Sequence, residues 1–369
     1  MNSASADGAF PSLVELALDE TIKSFSLGRA SFRAEASLKP EIASAFYARL
    51  PLPTNENLGT IAAYVENDNY WKRACNPKGN KGDEHGLSHK RMFFEVHGVQ
   101  NILQAGEKEG QEAIIENMRP FADYIHTVKL CGPRSQFPFD LICNNLSNLT
   151  NINLKHASGL NLKESIPKAI ASSPLLTTLV LSESQINDDD IVLMVDNLAD
   201  SSTLLHLDLS HNKITSTKAI ADKLIAPSKS ILSCLDLSGN KISSDGASIM
   251  GGALATNESL LSLTLRLNNI GDEGGKDLFE GLAQNATLRH LNMSANKLAS
   301  SSANALLQVL EKKLQDCTLE SIILTSNAFS EEELMCLSQC KKCFIDVRTS
   351  CEPAKNGNGT LASEMPCSK

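Results

Sequence analysis

The sequence predicts an α/β solenoid of stacked parallel strands and helices. Three observations carry this. The pattern L-x-x-L-x-L-x-x-N-x-L recurs, its asparagines return at a constant interval, and the segments between copies carry apolar residues at helical spacing. The copies are "LLHLDLSHNKI", "LSCLDLSGNKI", "LLSLTLRLNNI" and "LRHLNMSANKL", with evenly spaced asparagines Asn212, Asn240, Asn268 and Asn296. A weaker copy, "LESIILTSNAF", follows after a slightly longer interval and places Asn327 at that position. Upstream, "LTTLVLSESQI" has Ser184 at the asparagine position, "LTNINLKHAS" has Ala157, and "IHTVKLCGP" (Ile125, Val128, Leu130) reads as a degenerate opening turn.

Each element follows from its residues. In "LLHLDLSHN" the alternation sends Leu207 and Leu209 inward and His206, Asp208 and Ser210 outward, a short strand. Asn212 ends it, where its amide can satisfy turn backbone groups that the next coil would otherwise bury unpaired, at roughly 1–3 kcal/mol each. Ser184 and Ala157 do this less well, so the early coils are expected to be less regular. "SSANALLQVLEKKLQDC" spaces Leu306, Leu307, Leu310 and Leu314 as a helix on the convex side. "NDDDI" (187–191) is acidic where a helix begins, matching the positive end of its dipole better than it suggests a metal. "KKCFIDVRT" offers a closing strand through Phe344, Ile345 and Val347.

These copies resemble leucine-rich repeats, and the period resembles the ribonuclease-inhibitor-like subclass, which implies a curved α/β solenoid with real helices. The expected organisation is a helical N-terminal region over 1–120, a solenoid with capping strand over 121–347 and a disordered tail over 348–369. The N-terminal segments "PSLVELALDETIKSF", "KPEIASAFYARL" and "HKRMFFEVHGVQNILQ" each carry an apolar stripe.

A net charge of −9 and a pI near 5.5 argue against phosphate backbones and anionic lipid as partners of the whole chain. No apolar run approaches a membrane span and no signal peptide is evident, so a soluble, intracellular protein with reduced cysteines is expected. Six N-x-S/T sequons then carry no glycans, and Asn292 is expected in a strand. No phosphate loop, zinc helix or nucleophile elbow occurs, so neither catalysis nor a cofactor is expected. The nearest approach to a metal motif is Cys336, Cys340, Cys343 and Cys351, although Cys336 and Cys340 at helical spacing also suit a core.

Two groups are candidates for protein binding. His206, Asp208, Asp236, Arg266, His290 and Asn292 are expected to form one ladder at equivalent outward positions on successive strands, about 4.8 Å apart. That face lacks aromatic anchors, so its interface would be broad and shallow. The second group lies in an aromatic and basic stretch from Tyr70 to Arg91, with six lysines or arginines against two acids. Tyr70, Trp71, Phe93 and Phe94 are expected to pack inward while Lys72, Arg73, Lys90 and Arg91 stay outside, seating the helical block on the repeats.

"YWKRAC" (70–75), "HG" (85–86) and "SHKRMFFEVH" (88–97), followed by such a solenoid, resemble the dynein regulatory complex subunit 5 family. His89 stands where that family is expected to carry tryptophan. The resemblance implies a noncatalytic scaffold subunit of the axonemal nexin-dynein regulatory complex, in the cytoskeleton of a cilium or flagellum. Its partners would be the other subunits, with axonemal dynein or doublet microtubules beyond them. An alternative comes from "ARLPLPTNENLGTIAAYVENDNYWKRAC" (48–75), about half the length of an F-box, which would make the chain a ubiquitin-ligase substrate adaptor. A GTPase-activating leucine-rich protein would share the solenoid but carry a long acidic C-terminal block.

Overall fold

A computed structural model describes residues 46–48, 50, 65, 68–75, 89–94, 122–132, 139–158, 160–201, 203–226, 230–312, 318–339 and 344–346. The chain divides into two compact units, 1–126 with 145–148, and 127–144 with 149–369.

In the first unit, α1 (Asp68–Cys75) and α2 (His89–Phe93) surround the single tryptophan. The Trp71 indole is fully buried and donates to the Val65 carbonyl at 2.8 Å. Its ring centroid lies 5.2, 5.3 and 5.1 Å from those of Tyr70, Phe93 and Phe94, tilted or edge-on, where aromatic pairs attract. The Cys75 thiol donates to the His89 carbonyl, tying one helix to the other.

The second unit holds nine parallel strands in chain order among the described residues: β1 (Thr127–Cys131), β2 (Asn151–Lys155), β3 (Thr178–Val180), β4 (His206–Asp208), β5 (Cys234–Asp236), β6 (Ser262–Thr264), β7 (His290–Asn292), β8 (Ser321–Ile323) and β9 (Phe344–Asp346). The register advances by equal steps from β3 to β7, through Thr178, His206, Cys234, Ser262 and His290. Outside that stretch the steps are uneven, from Thr127 to Asn151 to Thr178 before it and from His290 to Ser321 to Phe344 after it. The expected opening turn is β1, with Val128 buried, and the closing strand is β9. In β9 it is Asp346 that is buried while Ile345 is partly exposed; Val347 lies outside the described residues, as do Cys340, Cys343, Cys351 and the tail.

Between strands run α3 (Phe139–Asn145), α4 (Leu162–Ser172), α5 (Asp188–Asp200), α6 (Lys218–Ile220), α7 (Ser244–Leu254), α8 (Gly271–Leu282), α9 (Ser300–Lys312) and α10 (Glu331–Ser338). Leu306 and Leu310 face the core as expected, joined by Ser302, Ala303, Ala305 and Val309; Leu307 is only partly buried and Leu314 is not described. Cys336 in α10 is exposed rather than core-lining, because Leu337 takes the buried position. The described residues contain no group of three or more His, Cys, Asp or Glu placed to hold a metal ion.

The asparagines act between coils, but back toward the preceding coil rather than forward. Asn212 Nδ2 donates to the Leu181 carbonyl of the preceding coil and the Leu209 carbonyl of its own, at 3.0 and 2.9 Å. Its Oδ1 accepts from Ser184 and Ile186 N–H, both at 3.0 Å. Asn240, Asn268 and Asn327 repeat this two-coil donation and each accepts from the coil behind. Asn296 keeps its donor bonds to Leu265 and Met293, but its buried Oδ1 has no partner. Ser184 does more than expected. Its one hydroxyl proton is shared between the Leu154 and Ser182 carbonyls, both at 3.1 Å, and its oxygen accepts from Ala157 N–H, a shorter version of the same bridge.

A second asparagine pair precedes the strands. Asn257 and Asn285, both in sequons, are buried; each accepts from two following N–H groups and donates to the preceding coil, to Ile225 and Leu254. These sequons are turn locks, and Asn292 lies in β7 as expected. The acidic helix starts also reach across coils. Asp190 closes a capping box with Asn187, whereas Asp188 accepts from Thr215 and Ser216 N–H at the start of the next coil's helix. Asp272 does the same toward Ala299, Ser301 and Ser302. Partial burial would raise its pKa, but these bonds and the Ser302 hydroxyl outweigh that and hold the carboxylate far below the usual range.

In the helix layer, α7 and α8 meet through glycines. A Cβ on Gly281 would collide with the Gly251 carbonyl oxygen, whereas one on Gly252 would meet nothing within 4 Å. Gly281→Ala should therefore force the helices apart and cost about 2 kcal/mol or more. Gly252→Ala should be neutral or stabilise by up to about 1 kcal/mol through helix propensity. Comparing the two thermal melts checks this, and equal effects would contradict the packing. Asn240→Ala should cost about 2 kcal/mol, because it leaves Ile214 N–H unpaired in the core and removes one of the two asparagine donors to each of the Leu209 and Leu237 carbonyls. Chemical unfolding of that variant is the measurement.

Candidate functional site

The strand face resolves into parallel columns rather than one ladder. His206, Cys234, Ser262 and His290 are in register, as are Asp208, Asp236, Thr264 and Asn292. Arg266 lies two positions beyond Thr264 and belongs to a third column, level with Ser210, Ser238 and Ser294. The correction follows from the pleat, since residues two apart share a face but not a register position. His206 and His290 are separated by two strands, about 14 Å at strand spacing. Asp208 and Asp236 are direct neighbours.

The middle column does more than face solvent. Asp208 accepts from Ser210 N–H at 2.8 Å; Asp236 accepts from the Ser238 N–H and hydroxyl at 2.7 and 2.5 Å. Asn292 accepts from the Ser294 N–H and hydroxyl at 3.0 and 2.7 Å. The x in D-x-S or N-x-S is the inward residue, so these side chains lock the strand end. Burial raises the Asp236 pKa, the Ser238 bonds oppose this, the neighbouring Asp208 charge adds to it, and the net shift is upward. His206 is shifted downward by burial alone. His290 lies 3.7 Å from the Glu320 carboxylate, which also pairs with Arg289 at 2.9 Å.

The residue just before the asparagine position adds a column that the periodicity did not flag. His156, Glu183, His211, Gly239, Leu267, Ala295 and Ser326 all have φ between 55° and 64°. Only Gly132, level with His156 after β1 and also left-handed, and Gly239 announce the turn in the sequence. At Gly239 a Cβ would run into the His211 ring, so the imidazole packs on the glycine. Lys155 and His156 meet the Glu183 carboxylate at 2.7 and 3.2 Å, and the Lys155 bond foremost holds Glu183 below its usual pKa. Leu267 is 43 % exposed beside the exposed Arg266, an apolar anchor on a face otherwise built of small polar groups. A bulky residue in that conformation is unusual enough to suggest a use.

In the first unit the motif is mostly core. Tyr70, Trp71, Phe93 and Phe94 are buried and Lys72 is exposed, as expected. Lys90 is not outside: it is buried, donates to the Tyr124 hydroxyl at 3.0 Å and sits 4.3 Å above that ring. A lysine tolerates this where aromatic faces and a hydroxyl replace water. The half-buried Arg73 guanidinium donates to the Ala48 and Leu50 carbonyls and lies over Tyr70. Arg91 falls within α2, and its side chain lies outside the described residues.

The strand face can thus offer carboxylates, imidazoles, hydroxyls and one arginine–leucine pair on a shallow surface. A family model described as Leucine Rich repeat matches residues 200–217, 230–248, 256–279 and 284–307. The solenoid is built of leucine-rich repeats. The chain is similar to Dynein regulatory complex subunit 5 of Mus musculus, 27 % identical over 250 residues, covering 55 % of this chain and 49 % of that protein. The same subunit of Macaca fascicularis is 30 % identical over 252 residues, covering 55 % and 48 %. The chain spans about half the length of these curated relatives. Among solved structures, an internalin C2 from Listeria monocytogenes is 21 % identical, with a TM-score of 0.36, covering 58 % of this chain and 74 % of that one.

Asn292 serves as a natural template for neutralising Asp236, since it makes the same bonds two coils on. Asp236→Asn should keep both hydrogen bonds and relieve a partly buried charge. A folded pKa above the unfolded one means ionisation costs stability, so the variant's advantage should appear as pH rises through the raised folded pKa. It should vanish below the usual carboxylate range near pH 4. Melts across pH 4–8 should show a gain of about 1–2 °C at the upper end; a loss there would contradict the upward shift.

Proposed function

We propose that this chain is a noncatalytic docking scaffold of an axonemal nexin-dynein regulatory complex, in a cilium or flagellum, where it helps regulate motility by holding other subunits. The single observation that carries this reading is the similarity, over more than half of the chain, to two relatives that both bear the name Dynein regulatory complex subunit 5. A repeat solenoid suits the role, because each coil adds one more row of outward side chains to a stiff surface. The strand-face residues His206, Asp208, Asp236, Arg266, His290 and Asn292 are the proposed contacts, with Leu267 as their apolar anchor. In the first unit, the buried aromatics, Lys90 and Arg73 hold the fold, and Lys72 presents its charge at the surface.

Expression of a tagged full chain in a ciliated cell, followed by cross-linking of isolated axonemes, tests the proposal. Recovery with dynein regulatory subunits is expected. An Arg266→Glu/Leu267→Ser variant should lower that recovery severalfold without moving the melting temperature by more than about 2 °C, since both side chains are exposed. Exclusion from axonemes, or recovery instead with a Skp1-type linker of a ubiquitin ligase, would overturn it.

A further inference from the structure

Exposed large apolar side chains occur singly on α7 (Ile249) and α10 (Met335), and as an adjacent pair on α5 alone among the described helices. On α8 and α9 the exposed positions are polar: Glu273 and Glu280, then Asn304, Gln308, Glu311 and Lys312. This is the usual outer surface of an amphipathic helix. On α5 the buried face is Ile191, Met194, Val195 and Leu198, yet the outer face again carries apolar side chains. Val192 and Leu193 are 58 % and 55 % exposed. Asp189, Asp196 and Asp200, also exposed, frame them at helical spacing.

The next coil leaves room beside this face. Its α6 has three residues and continues as a five-residue π-turn, Ala221–Ile225, where α5 and α7 run to 13 and 11. A cleft of about 220 Å³ opens there, lined by Leu204, Leu224 and the half-exposed Ile231, with Asp196 and Asp200 on its rim. Lys223 reaches back to Asp196 at 2.8 Å. Asp189, Asp196 and Asp200 share the exposed side of α5 with the apolar pair, and Asp196, Asp200 and Asp222 all act on the Lys223 ammonium. The surface is apolar at its centre and negative at its edge.

We propose that this face of α5, with the adjoining cleft, docks a basic amphipathic helix of a protein partner. Its apolar side would cover Val192 and Leu193, and its lysines or arginines would meet Asp189, Asp196 and Asp200. Helix-on-surface recognition reads anchors at such spacings, and the acidic rim sets the sign of the partner's charge. A second copy of this chain is disfavoured, because α5 carries five aspartates and no cation, and two such faces would bring carboxylates together. Nucleic acid and anionic membrane are repelled for the same reason.

The surface rests on the scaffold reading for its role but is assayed with purified full chain, so its failure is distinguishable from a failure to reach the axoneme. The probe is a fluorescently labelled helical peptide with leucines on one face flanked by lysines; a second peptide replaces the lysines with glutamates. The lysine peptide should bind, weaken with salt, and exceed the glutamate peptide at least tenfold in affinity. Val192→Ser/Leu193→Ser should lose at least tenfold, with an unchanged melt because both residues are exposed. Absence of binding, equal binding of both peptides, or undiminished binding to the variant overturns the proposal. So does self-association of the chain, by sedimentation, that the variant abolishes, since that assigns the face to a second copy.

Discussion

Everything in the repeat unit depends on where the backbone groups of one coil find partners, because a coil of this kind cannot satisfy them alone. Strands β3 to β8 are three residues long, and their N–H and C=O groups point along the stack. Beyond each strand the chain must turn inward, where unpaired amides would be costly. The left-handed residue sends its N–H to the next coil, as His211 does to Ser238 and Leu267 to Ser294. The asparagine that follows then closes the turn against the coil before. One bond runs forward and the others run back, so no coil is complete without both neighbours. Both sets of partners recur at every 28-residue step, and the longer step to Asn327 keeps them too, because the strand end and its turn retain their own spacing.

The same constraint limits what the strand face can do. Asp208, Asp236 and Asn292 look like free surface groups, yet each spends an oxygen on the serine two positions on. Their remaining capacity is what a partner can use. Burial raises the cost of a charge at Asp236, and the adjacent Asp208 adds to it, so this column tolerates acids rather than exploiting them. Arg266 and Leu267 occur where β6 lacks the D-x-S lock, Thr264 standing in place of the acid. The side chains best suited to recognition therefore lie where the structural demand is weakest.

The strands, their order and the asparagine ladder were legible because leucine alternation and a constant period leave few other arrangements. Several features were not. The left-handed column is nearly invisible, since a backbone demand met by His, Glu, Leu, Ala and Ser leaves no residue signature; only Gly132 and Gly239 betray it. Asp188 and Asp272 hold the same place in their coils, three repeats apart, and could have been paired by counting. Their reach into the next helix depends on a coil-to-coil distance that the sequence does not print. Lys90 misleads in the opposite way: its charge says surface, while the aromatic cluster that shelters it is assembled from residues as distant as Tyr124. The buried sequon asparagines are the same lesson for motifs, because Asn-x-Ser/Thr describes an Asx turn as well as a glycan acceptor.

The helix layer obeys a different rule, and that is why its exceptions are informative. Strand positions are fixed by backbone partners, but helices need only bury one face and keep the other wet. Glycines at Gly251 and Gly281 show how tightly the inner contacts of α7 and α8 are set. On the outer face no such demand exists, and polar residues cost nothing there. Val192 and Leu193 therefore leave more than half of their surface in water where the fold asks for no apolar group. With an acidic frame around them and a thinned helix beside them, they have the composition of a contact and not of a core.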